Sequence, residues 1–177
     1  MSQVILSKLN TTDIDELSSS RNEPDWLKDY RKSSLIIYDG LPIELSPLYN
    51  KYTDAKKMDP EKVSLSTSTT ANIPGFLVKR LSELENEICI IQIGTNIHKI
   101  NLPDDLKSKG LVISSIADAI KNNPELVKKA LDASKSQDDK FTALNNAAFN
   151  SGVFIHIPRN LILDKPIYFM TCLSDDD

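Results

Sequence analysis

The sequence predicts an α+β chain, a helical N-terminal region leading into strands at the C-terminal end, and three observations carry that prediction. Apolar residues recur at helical spacing through the first forty residues. Ile88-Cys89-Ile90-Ile91-Gln92-Ile93 is a β-branched run of strand length, ended by Gly94. From Gly152 onward come three short apolar stretches, Gly-Val-Phe-Ile-His-Ile-Pro, Asn-Leu-Ile-Leu-Asp-Lys-Pro and Ile-Tyr-Phe-Met-Thr-Cys-Leu, each bounded by Pro, Gly, Asn or Asp. They read either as successive strands of a β-solenoid or as strands of an ordinary open sheet. Solenoid strands are stable only when stacked, with about three or more rungs, so on the first reading the chain begins a stack and is truncated before completing it. Ile155, Ile157, Leu161, Leu163, Ile167 and Phe169 would each contribute about 1.5–3 kcal/mol if fully buried. They are therefore expected to pack on earlier parts of the chain, on a partner, or on further rungs of a longer chain.

Taken in order, residues 1–40 read as a helical arm. Thr11 or Thr12 can cap a helix carrying Ile14 and Leu17, with Asp15 in the capping-box position after Thr12. Arg21-Asn22-Glu23-Pro24-Asp25-Trp26 starts a second helix, since Pro24 suits a first turn and Asp25 favours the positive end of the dipole. Trp26, Tyr30, Ser33 and Ile37 would form its inner face, and Gly40 followed by Pro42 stops it. Residues 41–75, rich in Pro, Ser, Thr, Asn and Lys, read as an irregular linker.

Residues 76–150 read as a small α/β region. A turn at Pro74-Gly75 precedes a short piece from Phe76 to Leu84, then the strand at 88–93 and a hairpin-like return through Ile97-His98-Lys99-Ile100. Gly110-Leu111-Val112-Ile113 reads as another strand. Ser115 and Asp118 form a capping box, and Asn123-Pro124-Glu125 opens a helix with Leu126, Val127, Ala130 and Leu131 facing inward. After a polar linker at 134–139, Phe141, Leu144, Ala147 and Ala148 mark a third face, with Gly152 supplying a left-handed stop. Residues 151–177 are the strand-rich end.

A chain of 177 residues with 40% hydrophobic content can build a real core. Its 21 basic and 25 acidic residues give a net charge of -4, and no basic cluster is interleaved with aromatics, which argues against nucleic-acid binding. No apolar run reaches the ~18 residues of a membrane span, and Met1-Ser2-Gln3-Val4 opens no signal peptide, so a cytoplasmic protein without membrane insertion is expected. Two widely separated cysteines fit a reducing compartment.

Candidate chemistry is thin. His98 and His156 stand 58 positions apart with no metal-binding spacing and read as structural or surface residues. Cys89, inside Glu-Ile-Cys-Ile-Ile, reads as an inert core thiol. Cys172, nearer the end of the chain, is the better placed for soft-metal chemistry, yet one thiolate does not make a site. Asp175-Asp176-Asp177 could offer oxygen ligands but reads as a solvated terminus, and Asp104-Asp105 and Asp138-Asp139 read as helix-initiating or solubilising pairs. The five glycines form no phosphate loop. The expectation is no catalytic, cofactor-binding or metal-binding residue, and no cofactor held by this chain.

Four stretches in order carry a resemblance. They are Arg-Asn-Glu-Pro-Asp-Trp-Leu at 21–27, Lys-Tyr-Thr-Asp at 51–54, Asn-Asn-Pro-Glu-Leu-Val-Lys-Lys-Ala-Leu at 122–131, and the run from Lys140 through Gly-Val-Phe-Ile-His-Ile-Pro-Arg to Arg159. Together they resemble the SufB/SufD family, the scaffold subunits of the SUF iron-sulfur cluster assembly system, and its SufD branch more than its SufB branch. The resemblance runs with gaps from about Ile14 to Leu173. It implies a helical N-terminal region feeding the first coil of a right-handed parallel β-helix. It also implies a non-catalytic scaffold role, with a SufB-like paralogue and a SufC-like ATPase as partners of the whole protein and an iron-sulfur cluster belonging to the full complex only. None of the family's functional residues maps onto Cys89, Cys172, His98 or His156. Two rivals stand beside this reading. One is a self-contained α/β interaction adaptor whose terminal strands pair on the 88–93 strand or add to a partner's sheet edge. The other is a polysaccharide-processing β-helix enzyme, for which the closing strands offer only His156, Arg159, Asp164 and Lys165.

Overall fold

The computed structural model describes residues 6–42, 63–65, 73, 75–134 and 139–172. Most of the expected linker, together with the Lys51–Asp54 stretch, Asp138 and Asp175–Asp177, lies outside the described residues. The chain forms two compact units, Met1–Leu65 with Lys129–Phe149, and Ser66–Lys128 with Asn150–Asp177.

The first unit is helical. Its opening helix α1 (Thr11–Ser20) is capped by Asn10 rather than by a threonine. Asn10 Oδ1 accepts the Thr12 and Asp13 amides at 2.8 and 3.2 Å, and the Asn10 amide donates back to Asp13 Oδ2 at 3.0 Å. The capping box is thus Asn10/Asp13, two residues earlier than Thr12/Asp15, because Asn is the stronger cap. The helix ends in a Schellman turn. Asn22 takes the left-handed conformation at φ 52°, its amide bonds the Ser19 carbonyl, and the Glu23 amide bonds that of Ser18.

Helix α2 (Asp25–Gly40) follows with Pro24 as its N-cap residue. Its buried face is Leu27, Tyr30, Arg31, Ser34 and Leu35; of the expected Trp26, Tyr30, Ser33 and Ile37, Tyr30 is buried and the other three are half-buried. The face is turned because α2 buries a guanidinium. Arg31, 0% exposed, clamps Glu23 with Nε and Nη2, each at 2.8 Å. Its Nη1 donates to the Ala147 carbonyl at 3.1 Å, and its plane lies 4.1 Å from the centre of the Phe149 ring. Ala147 belongs to helix α7 (Lys140–Ala148), so Arg31 places a cation on the negative end of that helix.

At the opposite end of α7, Lys140 Nζ donates to the Tyr38 and Leu41 carbonyls at 2.6 Å each, closing the C-terminus of α2. The two helices are therefore antiparallel and each has a cation at its C-terminal carbonyls. Between them lies the core of Leu9, Ile14, Leu35, Leu144, Ala147 and Ala148. The small side chains Ala143 and Ala147, four residues apart on one face of α7, are buried there, whereas Phe141 is on the exposed side, contrary to expectation.

Helix α6 (Pro124–Ala133) begins at the expected proline and buries Val127. Leu126 and Leu131 are only half-buried and Ala130 is exposed, so its inner face is narrower than the periodicity suggested. The Leu131 carbonyl accepts a hydrogen bond from the Tyr30 hydroxyl at 3.2 Å. Burial raises the Tyr30 phenol above its ordinary pKa, with the Ser134 hydrogen bond opposing and the Asp132 charge adding to the rise. The folded chain holds this proton to higher pH than the unfolded chain. The associated stability is therefore complete below about pH 10 and is lost as pH climbs through the folded-state value. Tyr30→Phe is expected to be less stable than the parent at pH 8, with the gap in urea midpoint closing above pH 10. A gap independent of pH would contradict this.

In the second unit, helix α3 (Gly75–Glu83) replaces the undefined piece expected at 76–84. Strand β1 (Ile88–Ile93) pairs antiparallel with β2 (Asn96–Asn101), with a bulge at Ile91/Gln92, and parallel with β5 (Ile167–Cys172), giving the order β2-β1-β5. β1 is covered on both faces, which is why its sequence is apolar but for Gln92. One face packs Cys89, Ile91 and Ile93 with Leu77, Leu81 and Leu84 of α3 and its C-terminal turn, and with Met170 and Cys172 of β5. The other packs Ile88 and Ile90 with Leu102, Leu111 and Ile113, with Leu161, Leu163 and Ile167 alongside.

Helix α4 (Asp104–Ser108) is closed by Gly110, at φ +90°, in a second Schellman turn: the Gly110 amide bonds Lys107 and the Leu111 amide bonds Leu106. Gly110 is thus a helix stop, and strand β3 (Val112–Ser115) starts two residues later than expected. A Cβ at Gly110 would lie 3.1 Å from Pro158 Cγ. Gly110→Ala, strained in backbone and crowded, is expected to cost about 1–2 kcal/mol, read as a lower melting temperature. An unchanged melt would contradict the turn.

Ser115 caps helix α5 (Ile116–Asn122) as expected, accepting the Asp118 amide at 3.0 Å. Strand β4 (Val153–His156) pairs antiparallel with β3 in a separate two-stranded sheet. Gly152 does not take the left-handed stop assigned to it. Helix α7 ends at Ala148 with Phe149 as its C-cap, and the Gly152 carbonyl instead accepts the Ile116 amide at 2.9 Å.

Of the three closing stretches, the outer two are β4 and β5. The middle one forms no strand: Pro158 and Pro166 remove ladder donors, Asn160 sits at φ 70°, and Leu161 and Leu163 turn inward while Ile162 is 83% exposed.

Candidate functional site

The polar candidates do not converge. His98 lies exposed on β2 and His156 half-buried at the end of β4, in different sheets. Cys89 is fully buried, its thiol directed at the Leu84 carbonyl at 3.6 Å. Cys172 is half-buried in the same apolar cluster. In the β1–β5 register Cys172 stands opposite Ile93, four residues along from Cys89, a separation of roughly 13 Å that no disulfide spans. Both cysteines are reduced thiols.

The carboxylates serve local structure. Asp104 is bonded by Lys107 Nζ at 2.9 Å at the start of α4, and that hydrogen bond, with the lysine's charge, holds its carboxyl below the usual range. Asp139 caps α7, its Oδ1 accepting the Thr142 amide at 2.6 Å. Lys165 reaches Glu87 at 3.3 Å, tying the approach to β5 to the start of β1, while Arg159 and Asp164 are exposed. Among the described residues no three His, Cys, Asp or Glu side chains are grouped to hold a metal ion, and no helix is long and apolar enough to cross a membrane.

What the second unit offers instead is a strand edge. Among the described residues β5 is laddered with β1 only, which places it at the margin of the sheet. The strand Ile-Tyr-Phe-Met-Thr-Cys carries no charge and no proline to blunt that edge. Phe169 is 52% exposed and Tyr168 36%. Residues just before it are also open: Ile155, Ile157 and Ile162 are among the exposed large apolar side chains. Of the six apolar residues expected to need cover, Leu161, Leu163 and Ile167 find it within the unit, and Ile155, Ile157 and Phe169 do not. Such an edge can add a further strand by main-chain hydrogen bonding, with aromatic side chains selecting its neighbours.

The charged pair in the first unit escaped the sequence reading. Glu23 and Arg31 lie eight positions apart, across a helix start, and neither stood out among exposed-looking charges. The Arg-Asn-Glu-Pro run that contributed to the family resemblance is where Glu23 sits, so that run marks a structural clamp.

A family model described as SufBD protein N-terminal region matches residues 79–169, just over half of the chain. The chain is 29% identical over 169 residues to an iron-sulfur cluster assembly SufBD family protein of Staphylococcus aureus (strain USA300), covering 86% of this chain and 35% of that protein. It is 28% identical over 156 residues to the iron-sulfur cluster assembly protein SufD of Bacillus subtilis (strain 168), covering 85% of this chain and 36% of that protein. The chain thus spans about a third of the length of these curated relatives. The family model takes in β1, the strand at the centre of the second unit, and reaches Phe169 at its open edge; the chain belongs to the SufBD family.

Proposed function

We propose that this chain is the N-terminal part of a scaffold subunit in iron-sulfur cluster assembly, SufD-like in type, which binds and positions rather than catalyses. The observation that carries the reading is the family match through residues 79–169, supported by the similarity to a SufD protein. The described site fits a binding role, since an uncharged strand edge with half-exposed aromatics is suited to receive another strand. In this reading β5 is the first strand of a right-handed parallel β-helix and its outer edge takes the next rung. The β-helix engages a SufB-like paralogue, and each of the two engages a SufC-like ATPase in the cytoplasm. The cluster belongs to the assembled complex, and these 177 residues hold none.

The test is co-expression of the whole protein carrying these residues with a SufB-like and a SufC-like subunit, followed by size-exclusion chromatography with light scattering. A particle containing all three subunits is expected, and a protein that elutes alone would overturn the scaffold assignment. In parallel, reconstituting the 177-residue chain with iron and sulfide is expected to leave it without stoichiometric iron or acid-labile sulfide. Stoichiometric loading would overturn the placement of the cluster in the complex.

The parallel pairing of β5 on β1 is also what a self-contained adaptor would require. A well-behaved monomer with one cooperative melt favours the adaptor, whereas aggregation relieved by partner subunits favours the scaffold.

A further inference from the structure

We draw no further inference here: the strongest candidate, the groove of about 300 Å³ lined by the β1–β2 turn, the start of α5 and Asn150–Gly152, has its Ser115 hydroxyl committed to Asp118 and its Ser151 hydroxyl to the Thr95 carbonyl, and nothing in the structure shows what would occupy it.

Discussion

Replacing Arg31 with alanine is expected to destabilise the helical unit by about 3–5 kcal/mol, the range for breaking a buried ion pair by removing one partner. Two losses combine. Glu23, whose side chain is 7% exposed, is left as a desolvated carboxylate that has lost both guanidinium hydrogen bonds and keeps the Ser18 hydroxyl at 3.1 Å and the nearby charge of Arg21. The Ala147 carbonyl at the end of α7 loses its donor, and Phe149 loses the cation beside its ring. Glu23→Gln should also be costly, because the guanidinium then has no counter-charge.

The pair as a whole is worth less than either truncation suggests, since desolvating both ions offsets much of their attraction. The double variant Glu23→Gln/Arg31→Met is therefore expected to recover part of the loss seen in Arg31→Met alone. Native-state hydrogen exchange at the amides of α2 and α7 reads the effect in this unit specifically. A cost below about 1 kcal/mol for Arg31→Ala, the range of exposed pairs, would mean that the clamp does not hold in solution.

That clamp also explains where the sequence was legible and where it was not. Elements set by short-range chemistry could be read directly: the β1 run and its stop at Gly94, the Ser115/Asp118 cap, and Pro124 at the first position of α6. Errors arose where two local signals competed. Asn10 and Thr11 or Thr12 are all plausible caps, and the stronger one won. Gly110 could begin a strand or end a helix; only the preceding α4 decides for the second. The inner face of α2 was misplaced because apolar periodicity gives no weight to an arginine, whose burial depends on Glu23, Ala147 and Phe149, residues up to 118 positions away.

The candidate site was legible in a similar, partial way. The apolar stretches call for cover within the chain, on a partner or on further rungs; Leu161, Leu163 and Ile167 find it within the unit, and Ile155, Ile157 and Phe169 remain exposed. Their pairing was only partly legible: the 88–93 strand is one partner the sequence offers the terminal strands, and β5 pairs there while β4 does not. β4 joins β3 antiparallel while β5 crosses to β1 in parallel, and partner choice is set by tertiary packing that strand propensity does not encode. The middle stretch kept the inward alternation of a strand at Leu161 and Leu163 without a ladder, because its flanking prolines and left-handed Asn160 break the backbone pattern while leaving the packing.

The two faces of that strand region lead to the second large effect. Ile91→Ala is expected to cost about 2–5 kcal/mol, as for truncation of a fully buried branched side chain. Ile91 is completely buried, packed with Leu77, Leu81 and Leu84 and with Met170. Phe169→Ala, by contrast, should be nearly neutral in the 177-residue chain, since a ring half in water has little burial to lose.

If a further strand covers β5 in the whole protein, the same ring becomes core, and its truncation there should cost about 3–5 kcal/mol. Chemical denaturation of both variants in both contexts separates the cases. A Phe169→Ala effect equally small in the two contexts would show that nothing packs on this edge, and would remove the physical basis for continuing the sheet into a β-helix. A large Phe169→Ala effect in the 177-residue chain would instead mean that the ring is already covered, and that the open edge is closed by self-association.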